Sequence, residues 1–148
     1  MEWTAKVVAV PSWRKWMESE HPEIFNTPVV AVLFRGDRIL YVDEVVLLQR
    51  QRADGSTETA GFATLAPRGE TGNSKIPEIV GVMILPKYRG QRISRPLLIK
   101  TLERCRDRRW NEVKIEILNE KLYETTQRLP VEFLRMLSIT YHGNIILN

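Results

Sequence analysis

The turn at residues 86–94 combines residue types that bind an anion. Arg89 and Arg92 lie within it, and Ser94 is placed to cap the helix that follows. The backbone amides from Gln91 to Ser94 are therefore expected to face the positive end of a helix dipole. Amides and two guanidinium groups together suit a pyrophosphate better than a single carboxylate, because each phosphate offers several acceptor oxygens. The alternative is an ordinary loop between a strand and a helix.

The segments on either side of this turn predict a strand–helix–strand unit. Residues 77–85 are apolar on both faces, as in an interior strand. A helix follows to about Trp110, with Leu98 and Cys105 on its buried face. Residues 113–118 alternate apolar and charged side chains, which predicts a second strand. Since crossovers of this kind are right-handed, the two strands are expected to be parallel neighbours.

The other segments predict an α+β fold with a mixed, mostly antiparallel central sheet and flanking helices. The predicted strands and extended segments lie at 6–10, 29–34, 38–49, 57–65 and 139–147. Helices are predicted from Pro11 to Glu20 and from about Leu122 to Leu137, the second interrupted at Pro130. A chain of 148 residues requires no second domain, so residues 1–148 are expected to form one.

The stretch Arg89-Gly90-Gln91-Arg92-Ile93-Ser94 is similar to a known signature. It resembles the Arg/Gln-x-x-Gly-x-Gly/Ala pattern between a strand and a helix in the Gcn5-related N-acetyltransferase (GNAT) superfamily. Two positions depart from that pattern, because Arg92 replaces its first glycine and Ser94 its second glycine or alanine. Glycine allows the backbone to approach a pyrophosphate closely, whereas Arg92 either obstructs that approach or supplies a charged clamp. The resemblance is centred on residues 77–118.

The resemblance implies acetyl-coenzyme A (acetyl-CoA) or another acyl-CoA as the cofactor, and N-acyl transfer to an amine as the reaction. The pyrophosphate would lie on the loop amides, and the pantetheine arm between two splayed parallel strands. The implied cofactor-binding residues are Val82, Met83, Ile84, Arg89, Gly90, Gln91, Arg92, Ile93, Ser94 and Asn119. Gly81 is the expected site of a bulge that helps the splay, unless it marks only close packing. Asn119 is equally explained as a helix N-cap.

Glu78 is the leading candidate for the general base. The resemblance implies this role, because Glu78 precedes Arg89 by eleven residues, like the strand glutamate of histone-type members. The strand from Glu78 to Ile84 would also span roughly 20 Å, about the reach of an extended pantetheine arm. The alternative is that Glu78 only begins a strand at a solvated edge. Glu116 is a second candidate, and otherwise an exposed strand residue.

The tyrosine that acts as general acid in many family members has no direct counterpart in this sequence. Leu134 occupies the matching position and cannot donate a proton. Tyr123 and Tyr141 are the candidates to replace it, although such aromatic residues commonly serve only in packing. The missing tyrosine, together with Arg92, favours a catalytically degenerate member of the family as the alternative function.

The basic residues are concentrated between Lys87 and Arg109. The formal net charge of the chain is +4, whereas this segment alone carries +7, which indicates an anionic partner. Nucleic acid is an alternative partner to CoA, because the arginines at positions 104, 106, 108 and 109 are expected to point outward. No motif specifies the acceptor amine, whether small molecule or protein, or the oligomeric state, for which a dimer is one option.

Cys105 is the single cysteine, and the chain has only two histidines, His21 and His142. An internal disulfide is impossible, and no metal site is expected because soft ligands are too few. No apolar run approaches the ~20 residues that cross a bilayer, so we expect no membrane association and a cytoplasmic location.

Overall fold

The computed structural model describes residues 2–9 and 40–143, together with the separate helical positions 15, 18, 19 and 22. The strand predicted at 29–34, most of the helix predicted at 11–20 and the segment after 143 lie outside these residues. The strands are β1 (Thr4–Ala9), β2 (Glu44–Gln51), β3 (Thr57–Ala66), β4 (Glu78–Ile84), β5 (Val113–Ile117) and β6 (Leu137–Tyr141). The helices are α1 (Ser94–Asp107), α2 (Glu120–Gln127) and α3 (Val131–Leu134), with a 3-10 turn at Pro86–Tyr88.

The six strands form one sheet in the order in which they occur in the chain. The pairs β1–β2, β2–β3 and β3–β4 are antiparallel, whereas β4, β5 and β6 run parallel to one another. Three of the five pairings among the described strands are therefore antiparallel. The predicted α+β class with a mixed sheet is confirmed, and so is the parallel pairing of the two strands that flank α1.

The sheet splits between β4 and β5. The two strands pair at only two positions, where Glu78 lies opposite Lys114 and Ile79 opposite Ile115. The pairing of β4 with β3 shifts register at the same point, because β4 has one residue more than β3, Val80. This irregularity is a β-bulge directly before Gly81, next to the position that the sequence predicts. The bulge and the end of the β4–β5 pairing together open a cleft in the sheet.

Helix α1 packs its apolar face against the sheet. Its buried residues are Leu97, Leu98, Thr101, Leu102 and Cys105, which follow the predicted helical spacing. The contact with β3 is close at Gly61, where a Cβ atom would lie 2.6 Å from the carbonyl oxygen of Met83 and 3.3 Å from Leu97. Burial raises the pKa of the Cys105 thiol to about 12, so this cysteine is a buried hydrophobe and not a nucleophile.

The start of α1 differs from the sequence prediction. Ser94 is the first helical residue and not the cap, and Ile93 precedes the helix without a side-chain hydrogen bond to it. At the other end, Arg109 adopts a left-handed conformation with φ of 64°. The amide of Trp110 there donates to the carbonyl of Cys105, which is the Schellman arrangement that usually places glycine in the left-handed position.

Two other predicted boundaries are corrected. The strand predicted from Arg38 is described as β2 from Glu44, since Leu40 and Tyr41 form a turn and the next two residues have no regular structure. Positions 38 and 39 lie outside the described residues. The last predicted helix is two helices, α2 and α3, which separate at Pro130 as expected. In the part of the chain that the structure describes, no helix combines the length and apolarity needed to cross a membrane.

Candidate active site

A groove of about 950 Å³ lies at the cleft between β4 and β5. One side consists of Val82, Met83 and Ile84, and the other consists of the connection after β5 and one face of α2. The turn between β4 and α1 supplies residues from Tyr88 to Arg95. Among the described residues, those that line the groove and carry a positive charge are Arg89, Arg92, Arg95, Lys121 and Arg128, against one acid, Glu124. The groove is therefore suited to an elongated anion.

Backbone amides at the start of α1 are available to such an anion. No hydrogen bond within the described residues uses the amides of Arg92, Ile93, Ser94 or Arg95. The amide of Gln91 differs, because it donates to the carbonyl oxygen of Tyr88 at 3.3 Å within the turn. The set of available amides thus begins one residue later than the sequence suggests, and it lies at the positive end of α1.

The turn contains two left-handed residues. Gly90 has φ of 81°, and a Cβ atom added there would meet nothing within 4 Å. Arg92 has φ of 58°, which an L-residue other than glycine adopts at a cost of about 1–2 kcal/mol. Arg92 stands where the signature described above has its first glycine, so the backbone keeps the glycine conformation although the residue has changed.

Tyr88 fixes this turn to the sheet. Its ring is 5% exposed, and its hydroxyl donates to Glu58 Oε2 at 2.6 Å. Glu58 also accepts a hydrogen bond from Arg50, and both donors lower the pKa of this carboxyl. The Trp3 ring meets the Tyr88 ring edge-on, with 6.1 Å between the centroids. No motif in the sequence marks Glu58 as part of this site.

Asn119 lines the groove and also caps α2. Its side-chain oxygen accepts a hydrogen bond from the amide of Leu122 at 2.8 Å. The structural alternative for Asn119 is thus confirmed, while its contact with a cofactor stays a prediction. Lys121, Thr125 and Arg128 join it at the groove from one face of α2. The spacing of these three residues, four and then three positions, predicts that they share one helix face. The sequence does not indicate that this face borders a groove.

Glu78 lies at the closed end of the cleft, where β4 and β5 still pair. It is 4% exposed and is not among the described residues that line the groove. Burial raises the pKa of this carboxyl above its ordinary value of 4.5, and the charges of Glu70 and Glu116 add to the rise. The amide of Glu70, which donates to Glu78 Oε1 at 3.0 Å, and the charge of Lys114 oppose it. The alternative reading of Glu78 as the first residue of a strand at a solvated edge is therefore wrong about solvation, because Glu78 begins β4 but is buried.

Three carboxylates converge at this point. Glu70, Glu78 and Glu116 each have an oxygen within 4.8 Å of the others. Glu116 is exposed on β5, and His142 Nε2 lies 3.9 Å from its Oε1. The two candidate bases of the sequence analysis are thus neighbours, and the 67–76 loop contributes Glu70 beside them.

A comparison with family models provides the deciding observation. The model described as the acetyltransferase (GNAT) family matches residues 10–126 of the chain. The chain belongs to the GNAT family. Neither the curated proteins nor the solved structures gave a significant match. Membership supports acetyltransferase-type function in general.

The two tyrosines predicted as proton donors lie together in this GNAT domain. Tyr123 on α2 and Tyr141 on β6 stack with ring centroids 4.2 Å apart and an angle of 8° between the planes. Neither is among the described residues that line the groove. Partial burial raises the pKa of Tyr141, with the nearby acids of α2 adding to the effect. Their packing role is evident, and their catalytic role stays a prediction.

The arginines on the second half of α1 do not form the free basic face that the sequence suggests. Arg104 donates to both carboxylate oxygens of Glu44, at 3.2 and 2.7 Å. Arg108 donates to Glu44 and Asp43 at 2.9 to 3.0 Å. Arg106 lies over the Phe133 ring, with its guanidinium carbon 5.3 Å from the ring centroid. This GNAT domain therefore uses two of these arginines to join α1 to β2, which weakens the case for nucleic acid binding.

Proposed function

We propose that this protein transfers the acetyl group of acetyl-CoA, or a related acyl group, to the amine of an acceptor. One observation carries the proposal. The groove in the split sheet ends at backbone amides and arginines that suit a pyrophosphate, so it matches a long ligand with phosphates at one end. Family membership supports the same reading.

The cofactor contacts follow from the residues at the groove. The amides from Arg92 to Arg95, with the side chains of Arg89 and Arg92, would bind the pyrophosphate. The backbone of Val82 to Ile84 borders the cleft beyond the last β4–β5 pair, so it would hydrogen-bond the amides of the pantetheine arm. An amide of the same stretch would donate to the thioester carbonyl oxygen and stabilise the charge that develops there.

The transfer joins the acceptor nitrogen to the thioester carbonyl carbon and breaks the bond from that carbon to sulfur. The attacking amine must be neutral and must lose a proton. We assign the role of proton acceptor to Glu78, which takes the proton directly or through a water molecule. Its burial favours this role, because a carboxylate with a raised pKa is a stronger base. Glu116, next to it, is the second candidate.

The leaving thiolate takes up a proton, for which Tyr123 and Tyr141 are the proposed donors. Replacement of each by phenylalanine separates this role from packing. Lower turnover at unchanged CoA affinity would support a donor role. Full turnover in both variants would assign the proton to water.

Isothermal titration of the purified protein with acetyl-CoA tests the proposal, with Arg89→Glu and Arg106→Glu as a matched pair. The two variants change the net charge equally. Arg106 follows Ser94 by twelve helical residues, about 18 Å along α1, and lies outside the groove. We expect Arg89→Glu to weaken binding at least about tenfold and Arg106→Glu to leave it unchanged. Equal effects of the two substitutions would contradict a pyrophosphate site at this turn.

A degenerate GNAT protein that binds CoA without transfer is the second candidate. Arg92 in a glycine conformation and Leu134 in the place of the tyrosine favour it. Release of free CoA thiol in the presence of a panel of primary amines distinguishes the two functions. Tight binding without any release would favour the degenerate protein.

A further inference from the structure

Thr64 carries a buried hydroxyl that lacks a hydrogen-bond partner in the part of the chain that the structure describes. The residue is 1% exposed, and its Oγ1 is the buried side-chain polar atom without a hydrogen-bond partner among the residues that the structure describes. The buried hydroxyls of Thr101 and Thr126 each donate to a backbone carbonyl at 2.6 Å. Burial of a hydroxyl without a partner costs free energy, so such a group in a native protein calls for an explanation.

The position of Thr64 in the sheet provides one. Thr64 lies on β3 opposite Gly81, at the bulge that adjoins the split between β4 and β5. Gly81 has no side chain of its own to stand between the Thr64 hydroxyl and the β4 backbone. The next residue of β4, Val82, already lines the groove. Neither Thr64 nor Gly81 is among the described residues that line the groove, so an acyl group would have to continue one residue along β4 beyond Val82 to reach this pair.

Thr64 also lies on the same face of the sheet as the proposed base. Side chains alternate along a strand, so Thr64 and Ala66 share a face, and Ala66 lies opposite Glu78. Such diagonal neighbours are roughly 7–8 Å apart, which leaves room for one small group between them. Helix α1 packs on the other face, where Gly61 meets Leu97.

We propose that the hydroxyl of Thr64 donates a hydrogen bond to the acyl thioester of bound acyl-CoA, on the face of the sheet that carries Glu78. This inference rests on the proposed function. A thioester carbonyl oxygen accepts a hydrogen bond, and the threonine hydroxyl is a donor with no other acceptor in the described residues. Thr64 is then a residue that recognises the acyl group as distinct from the CoA thiol.

The test compares the affinities of acetyl-CoA and CoA for the parent, Thr64→Val and Thr64→Ser by isothermal titration. Valine has nearly the shape of threonine without the hydroxyl, and serine retains the hydroxyl. We expect Thr64→Val to lower the ratio of acetyl-CoA affinity to CoA affinity about three- to tenfold, the effect of one hydrogen bond. The affinity for CoA should not change, and Thr64→Ser should keep the parent ratio.

Thermal unfolding without ligand provides a second readout, with Thr101→Val as the matched control. Thr64→Val removes a hydroxyl that has no partner, so its melting temperature should rise by about 2–4 °C. Thr101→Val removes a hydroxyl that donates to Leu97, so its melting temperature should fall while the affinity ratio stays at the parent value.

The outcomes separate the two proposals. If the parent binds acetyl-CoA and Thr64→Val has the parent ratio, the role of Thr64 is wrong and the proposed function stands. If the folded parent binds neither acetyl-CoA nor CoA, the proposed function fails and this inference fails with it. A lowered ratio in Thr64→Val that Thr64→Ser does not share supports the thioester contact.

Discussion

Glu78 combines burial with two neighbouring carboxylates, and its ionisation opposes folding. Its pKa is raised in the folded protein mainly by burial, so the folded state favours the protonated form. The stability that protonated Glu78 contributes is complete below 4.5, the ordinary pKa, and is lost as the pH rises through the raised value.

We therefore expect Glu78→Gln to be more stable than the parent at pH 7, with a difference that shrinks as the pH falls toward 4.5. Glutamine stays neutral throughout this range. The same variant should lose turnover about 10²-fold or more with nearly unchanged CoA affinity, because the base is removed. Urea unfolding across pH and steady-state rates with a confirmed acceptor measure the two effects. Parent-like turnover at several pH values would transfer the role to Glu116 or to an amine that is already neutral.

Arg92 and Arg109 allow backbone strain and cofactor contact to be separated. Both are arginines in the left-handed region, at φ of 58° and 64°, and only Arg92 lines the groove. Replacement of either by glycine should raise the free energy of unfolding by about 1 kcal/mol. Arg92→Gly should change acetyl-CoA affinity, and Arg109→Gly should not. An affinity change of equal size in both variants would mean that Arg92 acts only through the fold.

At the scale of elements, the turn between β4 and α1 depends on its attachment to β3. Tyr88 provides this attachment through its hydrogen bond to Glu58, a bond to a charged group inside the protein. Tyr88→Phe should lower the free energy of unfolding by about 1–3 kcal/mol and weaken acetyl-CoA binding, since the amides beyond Tyr88 lose their fixed position. Tyr41→Phe, at a tyrosine that is 45% exposed, is the control for both measurements. Unchanged binding in Tyr88→Phe would show that the turn holds its conformation without Glu58.

The sequence predicts elements better than it predicts contacts between them. Alternation and helical spacing locate β3, β4, α1 and β5, because each of these elements has a buried face or is buried on both sides. The start of β2 is misplaced, since Leu40 and Tyr41 are as apolar as strand residues although they lie in a turn. The N-cap of α1 is misplaced by one residue. A serine before a helical pattern predicts a cap, but Ser94 is already helical and the first amides of α1 donate to no capping side chain among the described residues.

The site itself could be predicted where it is local in sequence. The turn at 86–94 carries a continuous motif, and Glu78 precedes Arg89 by only eleven residues, so one short stretch of sequence contains both candidates. Glu58 and Thr64 are different, because their roles depend on which strand lies opposite them. Pairing register is a long-range property, and a single sequence does not specify it for two buried strands.

At the scale of the whole molecule, ion pairs connect the C-terminal half of α1 to the beginning of β2. Glu44 accepts hydrogen bonds from both Arg104 and Arg108, and Asp43 pairs with Arg108. We expect Glu44→Gln to lower the free energy of unfolding by about 1 kcal/mol at low salt, and by less at 1 M salt because exposed charges are screened. Glu103→Gln, at an acid that pairs with Lys100 within α1, is the control. An effect that is independent of salt would assign the contribution of Glu44 to packing.

The same ion pairs bear on nucleic acid as a partner. A surface that binds phosphates loses affinity steeply as salt rises, by roughly one unit of log–log slope for each phosphate contact. Arg104 and Arg108 are already paired with acids of the same chain, so these two arginines should add little to any such slope.

The split in the sheet has a thermodynamic consequence. Beyond Ile79 and Ile115, the sides of β4 and β5 that face each other no longer share ladder hydrogen bonds, so a bound pantetheine arm would take the place of a missing strand. Binding of the ligand and unfolding of the sheet would then be thermodynamically coupled. Saturation at a hundred times the dissociation constant would add about 2.7 kcal/mol to the unfolding free energy. Deuterium exchange at Val82 to Ile84 would slow on binding, while exchange in β1 would slow only by as much as global unfolding does.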